Sequence, residues 1–369
     1  MLGGGVFVTQ NKTLPGSYIN FVNASTAGSA IGERGVVAIA LPLDKAVGEV
    51  ITINRAQFVN ECKVILGKEY GSEDVAPLRE IFRHATKVYI YDLGTNGTVG
   101  DAVKALEAYE FNVLCAYTDE ASDITAYITA IKTWRDELGK KCQVVVYNQA
   151  NPDYEGVINV VSTVSDENAP EYALVAWLAG AEAGCKINES CTNMLYDGDY
   201  TIIADKTQTE LEECIKNGKI AFHLVYDNIR LLEDVNSLVT TTADKGEDFK
   251  YNQTIRVIDQ IANDIAKIFN TKYLGKIPND KSGRVSLWGD IVAHHRQLEE
   301  IRAIEDAYAK TETPVVSNNS AHRWTKDVPM VVPEINPEHF EVIEAQKKRL
   351  GTTRGFVAVK PNCSIQSYA

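Results

Sequence analysis

Between Gly35 and Tyr226, short apolar segments alternate with segments of helical pattern, and this alternation restricts the fold more than any other feature. The predicted strands are 87–91, 111–117, 142–147, 156–162 and 219–225, and the predicted helices are 101–110, 122–138 and 169–183. Strands that alternate with helices of about 10 to 15 residues are typical of βαβ units, which align parallel strands in one sheet. The sequence therefore predicts an α/β fold in which helices flank a parallel or mixed sheet.

After Gly246 the pattern becomes helical and predicts a two-helix unit. Apolar residues at three- and four-residue steps form one stripe of the first helix, which we expect to face the core: Ile255, Ile258, Ile261, Ala262, Ile265, Ile268 and Phe269. The second helix covers 282–304, and its predicted inward residues are Val285, Trp288, Ile291, Val292, His295, Leu298 and Ile301. Adjacent His294 and His295 point about 100° apart on a helix, so no metal site is predicted there.

The first 22 residues have the pattern of an extended arm. A polar leader ends at a Pro-Gly turn, and polar and apolar residues then alternate through Ser17, Tyr18, Ile19, Asn20, Phe21 and Val22. Such a strand has no partner nearby in the chain, so it can pair with a later strand of its own chain or with another molecule's sheet edge. We expect a multi-domain chain with an N-terminal arm (1–22), an α/β body (23–245), a helical unit (246–305) and a segment of changed composition (306–369).

The charge balance excludes several classes of partner. With 50 acidic and 37 basic residues the net charge is −13, whereas binding to nucleic acid requires a basic face. An acidic membrane surface is disfavoured for the same reason, and no apolar run reaches the roughly 20 residues that span a bilayer. The start of the chain lacks a basic n-region, and the seven cysteines are scattered. We therefore expect a soluble protein that is made and kept inside a cell.

One candidate for chemistry is the turn that contains Gly94, Gly97 and Gly100, between a predicted strand and a predicted helix. Together with Asp119 after the next strand, it has the layout of a dinucleotide-binding turn, in which glycines let the backbone approach a pyrophosphate. The spacing, however, is G-x-x-G-x-x-G, and these residue types also form ordinary turns, while Asp119 can equally cap a helix. Both interpretations stay open from the residues alone.

A second candidate is Cys363, which follows the predicted strand 355–359 at a point where a helix could begin. A helix N-terminus lowers the pKa of a thiol and makes it a nucleophile. Only six residues follow Cys363, however, so the sequence offers neither a helix of useful length nor a downstream base.

Short motifs are spread in order along the first four-fifths of the chain: 10–12 (QNK), 14–21 (LPGSYINF), 33–37 (ERGVV), 99–102 (VGDA), 227–240 (DNIRLLEDVNSLVT), 256–259 (RVID), 273–276 (YLGK) and 279–284 (NDKSGR). Through these motifs, residues 1 to about 305 resemble the short contractile tail sheath proteins of Gram-positive phages and phage-tail-like bacteriocins. The resemblance implies a structural subunit, without a cofactor, that polymerises around a tail tube and contracts by conformational rearrangement.

The same resemblance implies a set of partners and a location. Extended arms exchange strands with neighbouring sheath subunits, which gives Ser17–Val22 the role of a subunit-linking strand. The tail tube protein and the baseplate are further partners. The implied location is the virion tail or a tail-like particle, after assembly in the bacterial host cytoplasm.

Three further motifs, 315–323 (VVSNNSAHR), 332–339 (VPEINPEH) and 359–364 (VKPNCS), give residues 306–369 a different resemblance. They are similar to an internal piece of aspartate-semialdehyde dehydrogenase, in which Cys363 would be the acyl-forming nucleophile. An NAD(P)-dependent enzyme of this kind, using Cys363 with Gly94, Gly97, Gly100 and Asp119, is the alternative function. The family's nucleotide-binding turn, catalytic histidine and substrate-binding arginine have no counterpart here, so we expect the segment to be inactive. It also replaces the C-terminal strand by which sheath proteins reach a neighbour, unless 355–359 substitutes for that strand.

Overall fold

The computed structural model describes residues 32–43, 48–300, 308–317, 326–330 and 337–359, with side chains as far as residue 297 in the second helix of the helical unit. The arm strand Ser17–Val22 and Cys363 lie outside the described residues. The described strands are β1 (Val36–Leu41), β2 (Val50–Asn54), β3 (Lys87–Asp92), β4 (Val113–Cys115), β5 (Gln143–Tyr147), β6 (Val157–Val160), β7 (Phe222–Val225), β8 (Asn228–Leu231), β9 (Pro314–Ser317) and β10 (Phe356–Val359). The described α-helices are α1 (Arg55–Leu66), α2 (Ala76–Ile81), α3 (Val99–Leu106), α4 (Ala121–Asp136), α5 (Leu174–Gly184), α6 (Gln208–Lys216), α7 (Asn252–Ile268), α8 (Lys281–Glu300) and α9 (Ile343–Leu350).

Six strands form the main sheet in the order β2-β3-β1-β4-β5-β6. All neighbours are parallel except β2, which runs antiparallel to β3 at the edge. Central strand β1 pairs on both sides, with Val37 opposite Val88 and Val113. A parallel sheet is normally covered on both faces, and the continuous apolar runs of its strands fit burial on both sides. The predicted α/β fold with a mainly parallel sheet and flanking helices is confirmed.

The two faces of the sheet belong to two separate cores. Val37 and Ile39 face a core that also includes α1, α2 and α5, whereas Ala38 and Ala40 face a core built with α3 and α4. This alternation follows from the two-residue period of a strand. Helix α5 is buried along its whole length from Leu174 to Ala183, which explains its continuous apolar and small-residue sequence.

Strand β7 departs from the simple alternation. Before this strand, Ile220 forms a parallel bridge to Val160 of the main sheet. The rest of the predicted strand 219–225 turns away and pairs antiparallel with β8 through a two-residue turn, in which Tyr226 has a positive φ of 53°. Two-residue hairpin turns require such left-handed backbone because of the twist of the strands.

The helical unit corrects two sequence predictions. Ile258 and Phe269 of the predicted inward stripe of α7 are exposed, and the buried face of this helix contains charged and amide side chains instead. In α8, Val285 and Trp288 are exposed at 60% and 67%, so their predicted inward orientation is wrong. His294 is fully buried, and it is the only titratable side chain of α8 that is buried among the described residues. The face of α7 that meets the body is polar because its partners there, Arg135 and Glu182 among them, are charged.

The C-terminal segment forms a small parallel arrangement. Strand β10 pairs with β9, and Val359 also bridges to Met330 on its other side. The Gln346 side chain of α9 fastens this helix to β10, because its amide donates to the Val357 oxygen at 2.9 Å and accepts from the Val357 nitrogen at 2.6 Å. Among the described residues, no helix is both long and apolar enough to span a membrane.

Candidate functional site: a charged junction between body and helical unit

The buried face of α7 is a row of polar side chains that contact different parts of the α/β body. We call this row and its partners the charged junction; its α7 members are Asn252, Arg256, Asp259, Gln260 and Asp264, all buried. A helix normally buries its apolar stripe. Here each of the five α7 side chains has a charged or hydrogen-bonding partner, which is the condition under which such burial is tolerated.

Arg256 lies at the centre of the junction and is almost completely enclosed. One of its terminal nitrogens is 2.6 Å from the Glu182 carboxylate and 3.2 Å from the Asp234 carboxylate, and the other donates to the Glu189 carbonyl oxygen at 2.8 Å. Burial opposes the charged guanidinium, but Asp234 and Glu182 outweigh it and raise the pKa of Arg256. The two acids come from α5 and from the segment after β8, so one side chain joins three parts of the chain.

The two carboxyl groups next to Arg256 are not equivalent. Burial and the charge of Asp234 raise the pKa of Glu182 well above its usual value. Asp234 keeps a lowered pKa in spite of its burial, because of the charge of Arg256 and hydrogen bonds from Glu182 and from the Cys191 amide. We conclude that Asp234 is the charged partner of Arg256, and that Glu182 holds a proton more readily.

Glu182, Cys191 and Asp234 also place metal-type donor atoms within 4.8 Å of one another. The Arg256 guanidinium contacts two of these three groups directly and lies 3.9 Å from the Cys191 sulfur. A second cation would meet this positive charge at close range without solvent screening. The donor set is therefore the counter-charge of an arginine, which is the cation of this site.

Other members of the junction tie α7 to the opposite side of the body. Arg135 of α4 forms a two-pronged ion pair with Asp259, at 2.5 and 2.9 Å. Asn252 accepts from the Gln143 amide of β5 at 3.0 Å and donates to the Val235 oxygen at 3.0 Å. Because α7 is held by α4, β5 and α5 at once, it cannot rotate on the body without breaking buried polar contacts.

The same junction holds the arm root, which we define as residues 32–35, the stretch that leads into β1. Asp264 accepts a hydrogen bond from the Gly32 amide at 3.1 Å and is 2.8 Å from Nε2 of His294 in α8. Gln260 donates to the Gly32 oxygen at 3.3 Å. A Cβ atom at position 32 would lie 2.5 Å from Asp264 Oδ1 and 2.8 Å from Gln260 Nε2, so a larger residue there would displace the two side chains that hold the arm root.

Arg34 fixes the other end of the arm root. Its guanidinium donates to the carbonyl oxygens of Glu182 and Cys185 at 3.1 and 3.2 Å, at the C-terminal end of α5. Arginine at this place satisfies carbonyl groups that a helix end leaves without partners. Burial and the nearby Arg256 lower the pKa of Arg34 to about 10, so it stays charged at neutral pH.

The helical unit presents exposed apolar side chains on its outer side. We call this the helical-unit surface and define it by Ile258, Leu274, Val285 and Trp288, all exposed. Val285 and Trp288 line an open groove of about 350 Å³ together with Asp280, Lys281 and Arg284. Exposed apolar groups with charged neighbours are typical of protein–protein contact surfaces.

The glycine turn has a structural explanation of its own. Gly94 has a positive φ of 50°, and a Cβ at Gly97 would lie 2.4 Å from the Leu93 oxygen. Thr98 caps α3, and the Asp101 carboxylate accepts from the Thr98 hydroxyl at 2.7 Å, so an acid already stands at this helix N-terminus. A negative group there repels the phosphate that a nucleotide site would bind.

Asp119 is not placed next to this turn. The turn follows β3 and Asp119 follows β4, and β1 lies between these two strands in the sheet. Asp119 is exposed. The dinucleotide layout needs the acidic residue on the strand adjacent to the glycine turn. The structure therefore does not bring Gly94, Gly97, Gly100 and Asp119 together as one binding site.

Sequence reasoning missed the charged junction. The 256–259 motif (RVID) contains two of its charged residues, but their partners Glu182 and Arg135 lie 74 and 124 residues away. One signal was available, since Arg256, Asp259, Gln260 and Asp264 recur at three- and four-residue steps and share one helix face. The arrangement as a whole connects α7 with α4, α5, β5 and the arm root.

Two family models of phage tail sheath proteins match adjoining parts of the chain. The model of the phage tail sheath protein central domain matches residues 94–237, and the model of the phage tail sheath C-terminal domain matches residues 244–328. Glu182 and Asp234 fall within the first match, and α7 falls within the second. The charged junction thus lies where the two matched parts meet.

Curated relatives point in the same direction. The chain is 32% identical over 224 residues to the phage-like element PBSX protein XkdK of Bacillus subtilis, covering 58% of this chain and 46% of that protein. It is 29% identical over 214 residues to the tail sheath protein of Clostridium phage phiCD119, covering 57% of this chain and 59% of that one. The chain therefore spans about half the length of the curated relatives it matches.

A shorter match is of another kind. Aspartate-semialdehyde dehydrogenase of Archaeoglobus fulgidus is 44% identical over 75 residues, which is 20% of this chain and 22% of that enzyme. A fifth of either chain is too little to carry the enzyme's activity over to this protein.

Solved structures share the fold. The sheath tail protein of Desulfitobacterium hafniense superimposes with a TM-score of 0.67 at 23% identity, over 78% of this chain and 89% of that chain. The helical sheath of the anti-feeding prophage in its contracted state gives a TM-score of 0.57 at 15% identity, over 78% of this chain and 84% of that one. With two adjoining domain models, the curated relatives and the shared fold in agreement, the chain belongs to the phage tail sheath family.

Proposed function

We propose that this chain is a structural subunit of a contractile tail sheath, which polymerises around a tail tube and shortens by conformational rearrangement. The observation that carries the proposal is the pair of adjoining sheath-domain matches over 94–237 and 244–328. The anti-feeding prophage sheath, which has a similar fold, is itself known in a contracted state. The work of contraction would come from stored conformational free energy that is released when subunits repack, without a nucleotide or other cofactor.

In this proposal the chain works as four parts: the arm (1–22), the body (23–245), the helical unit (246–305) and the appended segment (306–369). Its partners are other sheath subunits, the tail tube protein and the baseplate, and its place is the virion tail after assembly in the host cytoplasm. The similar fold of a chain in the anti-feeding prophage baseplate, with a TM-score of 0.58, supports the baseplate as a partner.

We assign strand exchange to the arm strand Ser17–Val22. Main-chain hydrogen bonds between a strand and a neighbour's sheet edge persist when the domains that they connect rotate. The arm root supports this role, because Gly32 is held by Asp264 and Gln260 of α7, and the Arg34 side chain is bonded to carbonyl oxygens at the end of α5. The arm would thus move while its point of attachment stays fixed.

We propose that 355–359 does not substitute for the C-terminal exchange strand of other sheath proteins. Strand β10 uses one edge for β9, and at Val359 it uses the other edge for Met330, with a hydrogen bond to the Pro329 oxygen at 2.9 Å. With Val359 engaged by this bridge and the amide and carbonyl of Val357 engaged by Gln346, this edge of β10 offers a neighbour no continuous row of free amides and carbonyls.

The test is negative-stain electron microscopy of the purified full chain at increasing concentration, beside the arm variant Ile19→Pro. Proline removes a backbone donor and fits poorly in a paired strand, so it weakens strand exchange without touching the body. A matched control is Lys12→Pro in the polar leader, where no pairing is expected.

We expect tubes or stacked rings from the unmodified chain and from the control, and small particles from Ile19→Pro. If the unmodified chain gives only small particles at every concentration, sheath assembly by this chain is refuted. If Ile19→Pro assembles as well as the control, sheath assembly stands but the role of the arm strand does not.

A further inference from the structure

Helix α6 lies on the surface, and its apolar side is poorly covered by the rest of the chain. None of its nine residues is buried. Leu211, Cys214 and Ile215 recur at three- and four-residue steps, so they share one side of the helix, and each of them is only half-buried. We call these three residues the α6 stripe. A helix of a folded domain normally buries such a stripe against its neighbours.

Carboxylates flank the α6 stripe on both sides. At about 100° per residue, Glu210 and Glu212 lie on either side of the stripe, whereas Glu213 lies on the opposite side of the helix. All three are exposed. Glu210 accepts from Thr207 in the cap of the helix, and Glu212 accepts from the Gln208 amide at 3.2 Å. None of the three carboxylates has a basic side chain within ion-pair distance among the described residues.

The open groove of about 350 Å³ on the helical-unit surface has cations at its rim. Lys281, Arg284, Val285 and Trp288 all lie within about 100° on one side of α8, and all four are exposed. In the part of the chain that the structure describes, neither Lys281 nor Arg284 has a carboxylate within ion-pair distance. The Asp280 carboxylate also lines the groove, but it accepts a backbone amide of the first turn of α8 at 2.8 Å.

The α6 stripe and this groove match in spacing as well as in charge. Leu211 and Ile215 are one helical turn apart, and so are Val285 and Trp288. Side chains with this spacing interlock when the ridges of one helix pack into the grooves of another. Docking of an amphipathic helix by its apolar face into an apolar groove is a common mode of protein recognition.

We propose that the α6 stripe of one copy of this chain docks on the helical-unit groove of a second copy, with Glu212 against Lys281 and Arg284. The inference rests on the proposed sheath function, because it assigns one contact within that polymer. The contact joins two different surfaces of the same chain, so it repeats from copy to copy and builds rings or open helical filaments. It connects the part matched by the central-domain model in one copy to the part matched by the C-terminal-domain model in the next.

A charge swap in the full chain tests the contact by sedimentation velocity over a concentration series. We expect Arg284→Glu and Glu212→Arg each to raise the concentration needed for assembly about tenfold, because like charges then face each other. The double variant should return this concentration to within about threefold of the unmodified chain. The matched control combines Arg284→Glu with Glu213→Arg, and it should restore nothing because Glu213 lies on the far side of α6.

Carbodiimide cross-linking gives a readout that does not require polymers, because it joins a carboxylate to an adjacent lysine in any pair of chains. Equal amounts of unlabelled and isotope-labelled full chain are mixed before the reagent is added. A link between Glu212 and Lys281 connects tryptic peptides 207–216 and 277–284. The mixed-isotope form of this pair shows that two copies are joined. Glu212→Gln should abolish the link, and Glu213→Gln should leave it unchanged.

The outcomes separate this contact from the sheath function. Tubes or rings without the mixed-isotope link and without rescue by the swap overturn the contact and leave the sheath function standing. The link without tubes or rings at any concentration supports the contact and refutes the sheath polymer. A mixed-isotope link from Lys281 to a carboxylate outside α6 in place of Glu212 also overturns the contact, and absence of both link and assembly refutes both proposals. Circular dichroism checks that each variant is folded, since the replaced side chains are exposed.

Discussion

Arg256 shows how much can depend on a single buried charge. The three oxygen atoms that accept from it belong to α5, to the loop after α5 and to the segment after β8, and the residue is only 2% exposed. A buried ion pair adds little net stability over a well-packed apolar group, yet breaking it leaves an unpaired charge in a low-dielectric interior. Its main effect is to specify one position of α7 on the body.

Replacing Arg256 by Met should therefore reduce the free energy of unfolding by about 3 to 5 kcal/mol, because Asp234 loses its counter-charge. Urea denaturation followed by circular dichroism measures this change. The matched control is Arg284→Met on the exposed side of α8, where we expect a change within about 0.5 kcal/mol. Equal effects from the two variants would mean that the junction does not hold α7 in place.

Glu312 gives a second prediction, this time for pH. Hydrogen bonds from the amides of Thr353, Arg354 and Gly355 lower the pKa of this carboxylate to about 2 from an ordinary value of 4.5. A lowered folded-state pKa means that the contribution to stability is complete above pH 4.5 and is lost as the pH falls toward 2.

Hydrogen exchange of these three amides should accordingly speed up between about pH 4.5 and pH 2, beyond the intrinsic pH dependence of exchange. Amides of β1 serve as the internal reference. In Glu312→Gln this extra dependence should disappear. A carboxylate titration midpoint near 4.5, measured by NMR, would contradict the prediction.

Helices α2 and α5 approach each other so closely that a glycine is required at the contact. A Cβ at Gly180 would lie 2.3 Å from the Ile81 carbonyl oxygen, which is backbone and cannot rotate away. We expect Gly180→Ala to cost about 1 to 3 kcal/mol of unfolding free energy through overpacking.

The control for this substitution lies in α8. Gly289 has no atom within 4 Å of its Cβ position, so Gly289→Ala should raise stability by about 0.5 to 1 kcal/mol through reduced backbone entropy. Thermal unfolding of both variants measures the two effects. If both substitutions changed stability with the same sign, close packing of α2 on α5 would not be the reason for Gly180.

The sequence predicted four of the six strands of the main sheet, β3 to β6, and missed the central strand β1 and the edge strand β2. The ends of strands β3, β5 and β6 differ by at most two residues from the predicted 87–91, 142–147 and 156–162. Their apolar, β-branched runs are typical of strands buried on both faces of a parallel sheet. The inward stripe predicted for α7 is right for Ile255 and Ile268 and wrong for Ile258, and most of the buried face of this helix is polar. Its buried face is determined by charges on α4 and α5, and no local pattern reveals partners that are so distant in the chain.

Trp288 illustrates the same limit for function. On a helix of period 3.6 an apolar residue is expected to face the core, yet Trp288 is 67% exposed. The exposure makes sense if the helical-unit surface is covered only after assembly. For the molecule as a whole, a surface that is covered only by another subunit would have the same apolar pattern as a core, so a single sequence cannot separate the two.

We therefore expect Trp288→Ala to leave the free energy of unfolding unchanged within about 0.5 kcal/mol and to raise the concentration needed for assembly at least about tenfold. Sedimentation velocity over a concentration series measures the latter. Tyr226→Ala at the exposed hairpin tip is the matched control and should assemble normally. Normal assembly of Trp288→Ala would show that this surface is not an interface.

The attachment of the arm root has a mechanical consequence. Tension applied to the chain before Gly32 would load the contacts of Asp264 and Gln260 on α7 and those of Arg34 on α5 at the same time. Bonds loaded together share a force, whereas the hydrogen bonds of a strand pulled from one end break one after another. The rupture force at residues 32–35 would therefore be set by the helices, and β1 in the middle of the sheet would be shielded from a pull on the chain that precedes it.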